Sequence, residues 1–143
     1  MQAFPHEYIA SAHGASSDYI VARTADLEPI HIAEPTEFGG SGQYWSPEQL
    51  FVVTVANCLI LTFRAIANAS NFEFIDLNCD AVGVLDRVER TNQFTDININ
   101  VVLQLVSEND LKKGQRLLEK AENQCLIKNS ISAKTTFHNS YIT

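Results

Sequence analysis

Residues 46–69 decide the fold of this chain, and they read SPEQLFVVTVANCLILTFRAIANA. Ser46 is a typical helix N-cap, Pro47 suits the first helical position, and Gln49 completes a Ser-x-x-Gln capping box. The residues that follow are apolar on nearly every side of a helix. We therefore predict a helix that ends at about Ala69 and is covered by protein on most sides.

The length of this helix bears on how it is covered. A helix of ~24 residues is ~36 Å long by the helical rise. A chain of 143 residues has limited material with which to surround it. A subunit interface would supply the missing cover.

The same stretch is also long enough to be mistaken for a membrane span. Its polar and charged members argue against that interpretation, because a lipid-exposed arginine is costly. They are Thr54, Asn57, Thr62, Arg64 and Asn68. The N-terminus, Met1 to Ala12, lacks the basic start and long apolar run of a secretory signal. We expect a cytoplasmic protein with no membrane partner.

The segments before the helix read as short strands rich in Ile, Val and Tyr. The predicted strands are Glu7–His13, Asp18–Thr24 and Pro29–Ala33. A loop containing FGGSG follows them, from Glu34 to Trp45. It is either a plain connector or a lid that carries Tyr44 and Trp45.

The segments after the helix predict a hairpin, a second helix and a last strand. Phe72–Asp86 alternates with a break between Phe74 and Leu77, which indicates a β-bulge, and Phe94–Val106 alternates without a break. The inward residues predicted for the second strand are Ile97, Ile99, Val101, Leu103 and Leu105. The second helix runs from Asn109 to about Gln124, and the last strand is Lys134–Ile142. The stripe predicted on that helix is Leu111, Leu118, Ala121 and Cys125.

This order of elements predicts an α+β fold, since helices are few and most strands are joined as hairpins. The chain has 143 residues, of which 45% are hydrophobic, so we expect one globular domain over residues 1–143. Its net charge is −7, which makes a nucleic-acid partner a poor candidate. The four histidines show no metal-ligand spacing and there is no phosphate-binding glycine loop, so we expect no cofactor.

Three cysteines remain as candidates for chemistry. Cys79 is in phase with Leu77 and reads as a small core hydrophobe. Cys58 and Cys125 lie on inward stripes of the two helices, that of Cys58 being predicted to contain Phe51, Val55, Leu61 and Ala65. A thiol buried among aliphatic side chains is inert unless a cation or hydrogen-bond donor is near. Both cysteines are therefore core residues or, if the helices cross there, an attacking and resolving pair suited to a peroxide-reducing cycle.

Two motifs give the chain a resemblance to the OsmC/Ohr family. The segment Ser46–Phe51, followed by Ala56-Asn57-Cys58, is similar to that family's Pro-Glu-Gln-Leu-Phe…Ala-Cys signature. The segment Glu119–Ile127 resembles its Ala-x-x-x-Cys-hydrophobic motif. The resemblance covers nearly the whole chain, with one motif on each helix.

The resemblance implies an OsmC-like sandwich of antiparallel sheets with two long central helices, assembled as an intertwined homodimer. It also implies a cysteine-based peroxidase that needs no metal, acts on a small-molecule hydroperoxide and is recycled by a dithiol reductant. By the same resemblance, Cys58 is the peroxidatic cysteine and Cys125 the resolving one. Glu48 is the carboxylate that positions an activating arginine.

The chain departs from the family pattern at that arginine. The region that corresponds to its position reads HGASSD, residues 13–18, and contains no arginine. On one straight helix Glu48 and Cys58 are ~15 Å apart along the axis and ~80° apart around it. Glu48 would therefore serve Cys58 from the partner subunit or through a distortion near the cap, or it only complements the helix dipole. These features suggest an outlying OsmC-like branch.

Two functions follow from the sequence. The first is a peroxidase that reduces organic hydroperoxides, or also hydrogen peroxide, through a Cys58 sulfenic acid resolved by Cys125. The alternative is a non-enzymatic ligand-binding module whose cysteines stay reduced and whose interface cleft holds an apolar or thiol-containing ligand.

Overall fold

A computed structural model describes residues 3–143 of the chain. These residues divide into two compact units, the first ending at Leu50 and the second running from Phe51 to Thr143. The α+β class is confirmed, with two three-stranded sheets and few helices. The prediction of one domain over residues 1–143 stays a prediction.

The first unit contains an antiparallel sheet of three strands, β1 (Ser11–His13), β2 (Ile20–Arg23) and β3 (Ile30–Ile32). All three predicted strands are present, and each is shorter than its predicted span. After β3, the backbone N–H of Ala33 donates to the carbonyl of Trp45 at 2.9 Å. The FGGSG loop thus ends on the sheet, with a single turn of 3-10 helix, Thr36–Phe38, inside it.

Helix α1 (Pro47–Ala69) has the predicted bounds. The predicted capping box is formed in both directions. The Gln49 backbone N–H donates to the Ser46 hydroxyl at 3.1 Å, and the Ser46 backbone N–H donates to the Gln49 side-chain oxygen at 3.1 Å. Two backbone groups that the helix leaves unpaired at its start are therefore satisfied locally.

The second unit is built on a sheet of β4 (Phe74–Val88), β5 (Thr91–Leu105) and β6 (Lys134–Ile142), in that order. The strands β4 and β5 pair as an antiparallel hairpin whose two turn residues, Glu89 and Arg90, have positive φ angles of 49° and 72°. Its register shifts between Phe74 and Asp76, which confirms the predicted β-bulge.

The expectation that both sheets are antiparallel is wrong for the second one. The strand β6 pairs in parallel with β5. Between them lie α2 (Leu111–Gln124) and the short α3 (Leu126–Asn129), which was not predicted. This connection is long enough to cross over the sheet and return β6 in the direction of β5, as parallel pairing requires.

The core of the second unit lies between the sheet and the helices. All five residues predicted to face inward from β5 are at most 1% exposed. A Cβ added to Gly83 of β4 would lie 2.4 Å from Val52 Cγ2, so only glycine lets α1 approach the strand this closely. In the same way a Cβ on Gly114 of α2 would meet Leu105 Cδ2 at 3.0 Å.

The predicted stripe on α2 is partly wrong. Leu118, Ala121 and Cys125 are buried, but Leu111 is 38% exposed. The buried residues that the prediction missed are Gly114 and Leu117. Since positions three and four residues apart share a helix face, the small Gly114 brings α2 close to β5. Leu111 is the first residue of the helix, at its exposed end.

The predicted stripe on α1 is also partly wrong. Its buried residues are Val55, Ala56, Leu59, Phe63, Ile66 and Ala67. Leu61 is 60% exposed, and Ala65 is exposed as well. By length and composition alone α1 could cross a membrane, and 39% of its most apolar window is buried within the chain. The buried side of α1 packs in the core of the second unit, so packing within the protein accounts for its apolar residues without a membrane.

Candidate active site

Cys58 lies in the middle of α1, at the border between the buried and the exposed side of the helix. Its side chain is half-buried. The Sγ atom is 3.8 Å from the hydroxyl oxygen of Thr62, one helical turn further along. Residues four apart on a helix are neighbours on its surface, which explains the contact.

Cys125 lies at the break between α2 and α3. Its φ and ψ angles of −63° and 101° are extended, so the helix stops there and restarts at Leu126. The side chain is fully buried. Its thiol donates to the backbone carbonyl of Val55 in α1 at 3.9 Å.

Cys125 lies against α1 close to Cys58, since its sulfur reaches the carbonyl of Val55, three residues before Cys58. Burial raises the pKa of Cys125 to about 11, and the hydrogen bond and charge of the neighbouring Cys58 raise it too. The backbone N–H groups of Lys128 and Ile127 act in the opposite direction, since they stabilise a thiolate. The crossing that the sequence left open is therefore present, and both cysteines are free thiols.

Glu48 lies in the first turn of α1. Its Oε2 atom is buried and has no hydrogen-bond partner within residues 3–143. A buried carboxylate oxygen without a partner calls for a donor, and an arginine is the donor that the family resemblance implies. Arg23 and Arg64 are both exposed. In the part of the chain that the structure describes, Oε2 of Glu48 therefore has no arginine as its hydrogen-bond partner.

Cys79 has a different environment. It faces inward from β4 and packs against the core cluster, as predicted. Burial raises the pKa of Cys79 to about 12, and the charge of the adjacent Asp80 contributes. This thiol therefore stays protonated and has the character of a core residue.

Two features of the site were missed by the sequence reasoning. In the sequence Thr62 stands out only as a polar residue of an apolar helix, although its spacing of four residues from Cys58 predicts the contact. The N–H groups of Ile127 and Lys128 were missed because α3 has no strong sequence signal. Among residues 3–143, no three His, Cys, Asp or Glu side chains are grouped as metal ligands would be.

A family model matches most of this chain. The family described as OsmC-like protein matches residues 40–139 of the chain. The uncharacterized protein YmaD of Bacillus subtilis is 28% identical over 103 residues, which are 70% of this chain and 69% of that protein.

Solved structures share the fold. An OsmC-like protein of unknown function from Vibrio cholerae is 18% identical with a TM-score of 0.83, and the match covers 95% of this chain and 100% of the other. The organic hydroperoxide resistance protein OsmC of Legionella pneumophila is 24% identical with a TM-score of 0.74, over 96% of this chain and 98% of the other.

Proposed function

Because this chain belongs to the OsmC-like protein family, we propose that it is a thiol-dependent peroxidase that reduces organic hydroperoxides. The structural neighbour from Legionella pneumophila has the name of an organic hydroperoxide resistance protein, which supports this class of substrate. The observation that carries the proposal is that the Cys125 thiol reaches the Val55 carbonyl of α1, three residues before Cys58, and that both cysteines are free although they are distant in the sequence.

The proposed cycle has three steps. The Cys58 thiolate attacks the terminal oxygen of the hydroperoxide, so that an S–O bond forms, the O–O bond breaks and the alcohol leaves after taking up a proton. The Cys125 sulfur then loses its proton and attacks the Cys58 sulfenic acid, forming an S–S bond and releasing water. A dithiol reductant finally exchanges with this disulfide, becomes a disulfide itself and restores both thiols.

The surroundings of Cys125 suit the second step. Burial keeps its thiol protonated in the resting state, so it does not compete with Cys58 for the peroxide. When the proton leaves, the N–H groups of Ile127 and Lys128 are in place to stabilise the developing charge on sulfur.

An apolar surface on the same side of α1 favours an organic substrate. Phe51 lies two helical turns before Cys58, and its ring stacks on that of Phe94 at a centroid distance of 5.0 Å. Aromatic surface of this kind attracts the apolar body of an organic hydroperoxide more than it attracts hydrogen peroxide.

We also propose that the active form is a homodimer in the cytoplasm. The exposed side of α1 includes Leu61, whose side chain is 60% exposed, and a second copy would cover it. The buried and unpartnered Oε2 of Glu48 is a second group that a partner subunit's side chain would satisfy. A reducing compartment would keep the three cysteines free and supply the dithiol.

The test compares the wild-type protein with Cys58→Ser, Cys125→Ser and Cys79→Ser in the consumption of cumene hydroperoxide with a dithiol reductant. We expect Cys58→Ser to lose peroxide turnover. In Cys125→Ser the Cys58 sulfenic acid should form but no 58–125 disulfide should follow. Cys79→Ser should match wild type. Mass spectrometry of oxidised wild type should show a 58–125 disulfide. Equal, slow consumption by the wild type and the Cys58→Ser variant would contradict the proposal.

A second candidate function is a ligand-binding module with reduced cysteines. It is favoured by the buried Oε2 of Glu48, which has no hydrogen-bond partner within residues 3–143 and so holds no activating cation. The same mass spectrometry separates the two functions, because a binding module would form no 58–125 disulfide in mild peroxide.

A further inference from the structure

We infer that Thr62 is a positioning residue for Cys58, with its hydroxyl donating a hydrogen bond that favours the ionised sulfur. The inference deepens the proposed function and rests on it for its biological role, since the peroxidase reaction needs a thiolate. It does not follow from the family signatures, neither of which includes Thr62.

The geometry and the charge state of the Thr62–Cys58 contact determine which group donates the hydrogen bond. The Thr62 hydroxyl oxygen lies 3.8 Å from Cys58 Sγ, and both residues are half-buried. With a neutral thiol either group is able to donate, but a thiolate only accepts. Once Cys58 is ionised, the hydroxyl must therefore be the donor. Contacts of this kind are often long in a resting site and shorten when charge develops.

Thr54, on the same helix, provides an internal comparison. Its hydroxyl donates to the backbone carbonyl of Phe51 at 2.6 Å, and its side chain is exposed. This local bond to the preceding turn is the usual behaviour of threonine in a helix. Within residues 3–143 the Thr62 hydroxyl has the Cys58 sulfur as its hydrogen-bond partner instead. Threonine side chains on one helix are thus used in two ways.

The site has a need for such a donor. A thiol beside apolar side chains becomes reactive only where a cation or a hydrogen-bond donor is near. The titratable neighbour of Cys58 is Cys125, a buried thiol that also has the Val55 carbonyl as an acceptor. The Thr62 hydroxyl is neutral, keeps its proton at all relevant pH values and is held in place by the same helix as Cys58.

The test measures how fast iodoacetamide alkylates Cys58 in the reduced, full-length protein, with mass spectrometry to resolve the site. The variants are Thr62→Val, which removes the hydroxyl at nearly constant volume, and Thr62→Ser, which retains it. Thr54→Val is the matched control. Thr62→Ala replaces Thr62→Val if the valine variant does not fold.

We expect Thr62→Val to slow alkylation at neutral pH roughly tenfold, the usual order for one hydrogen bond to a charged group. Thr62→Ser should restore most of the rate, and Thr54→Val should leave it unchanged. At strongly alkaline pH the rates of Thr62→Val and wild type should converge, because ionisation no longer depends on the donor. A wild-type rate in Thr62→Val, or an equally slow Thr62→Ser, overturns the inference.

Peroxide consumption is measured on the same samples. This measurement tests the proposed peroxidase function independently of the role inferred for Thr62. If the wild type consumes no peroxide but alkylation depends on the Thr62 hydroxyl, the proposed function fails and the inference is supported. If the wild type is active and Thr62→Val is alkylated at the wild-type rate, the inference alone fails.

Discussion

Both sides of α1 carry apolar residues, but the two sides have different surroundings. On one side Val55, Leu59 and Phe63 are completely buried against the sheet of the second unit. On the other side Leu61 and Ala65 are exposed. Apolar residues therefore do not mark the core by themselves here, because α1 has more of them than one chain buries.

The comparison explains why Cys58 is suited to chemistry. It lies at the border between the two sides, where it contacts the Thr62 hydroxyl and is near the Cys125 thiol at Val55, without being fully enclosed. A cysteine on the buried side would be an inert core residue, as Cys79 is in β4. A cysteine on the exposed side would lack a partner thiol to resolve it.

The largest effect should follow from a change on the buried side of α1. Phe63 makes edge-on ring contacts with Phe74 at 5.0 Å and with Phe72 at 6.3 Å. We expect Phe63→Ala to lower the free energy of unfolding by about 3–5 kcal/mol, because it leaves a cavity in the core. Urea unfolding at a fixed protein concentration measures this, with Phe63→Leu as the milder control. A loss of less than about 1 kcal/mol would show that the core is not packed as described.

A smaller effect should follow from a change on the exposed side. If a second copy covers this side, Leu61→Asp should weaken self-association by at least about tenfold, since one buried leucine contributes roughly 1.5–3 kcal/mol. Sedimentation equilibrium measures the dissociation constant. Leu27→Asp is the control, because Leu27 is 69% exposed in the turn between β2 and β3. Unchanged association in Leu61→Asp would count against the proposed dimer interface.

A further effect concerns the buried thiol of β4 and extends the comparison beyond α1. The folded-state pKa of Cys79 is raised from 9.0 to about 12, so above pH 9 the unfolded chain loses this proton before the folded chain does. Stability should therefore fall as pH rises from about 9 towards 12. Cys79→Ala should make this decline shallower, although Cys125 still contributes to it.

Urea midpoints at pH 8, 9, 10 and 11 measure the decline. The slope against pH is the informative quantity, because Cys79→Ala also removes a packing side chain. Parallel slopes for the variant and the wild type would mean that Cys79 is not protected from ionisation in the folded state.

Some of the fold was predictable because its causes are local. The start of α1 depends on Ser46 and Gln49, which satisfy each other's backbone N–H groups within four residues. The inward face of β5 follows from strict alternation, and the β-bulge after Phe74 follows from a break in that alternation. Each of these features is encoded in a few neighbouring residues.

Other features were not predictable because their causes are distant in the sequence. The helix break at Cys125 coincides with a contact to a distant segment, since its thiol donates to the carbonyl of Val55 in α1. The parallel direction of β6 depends on how α2 and α3 cross the sheet. The prediction that Leu111 is buried is wrong because periodicity shows which residues share a helix face, but not where along the helix that face meets the core.

The sequence by itself determined the α+β class, the bounds of α1, the buried face of β5 and the two cysteine motifs, because capping, alternation and motif spacing are written in short segments of chain. Only the tertiary structure decided that Leu61 and Ala65 lie outside the core and that the Cys125 thiol reaches α1 beside Cys58. The physical reason is that the apolar residues of α1 extend around more of the helix than the chain covers. Which of them are buried is therefore decided by close packing against β4 at Gly83 and by the path of the chain through Cys125.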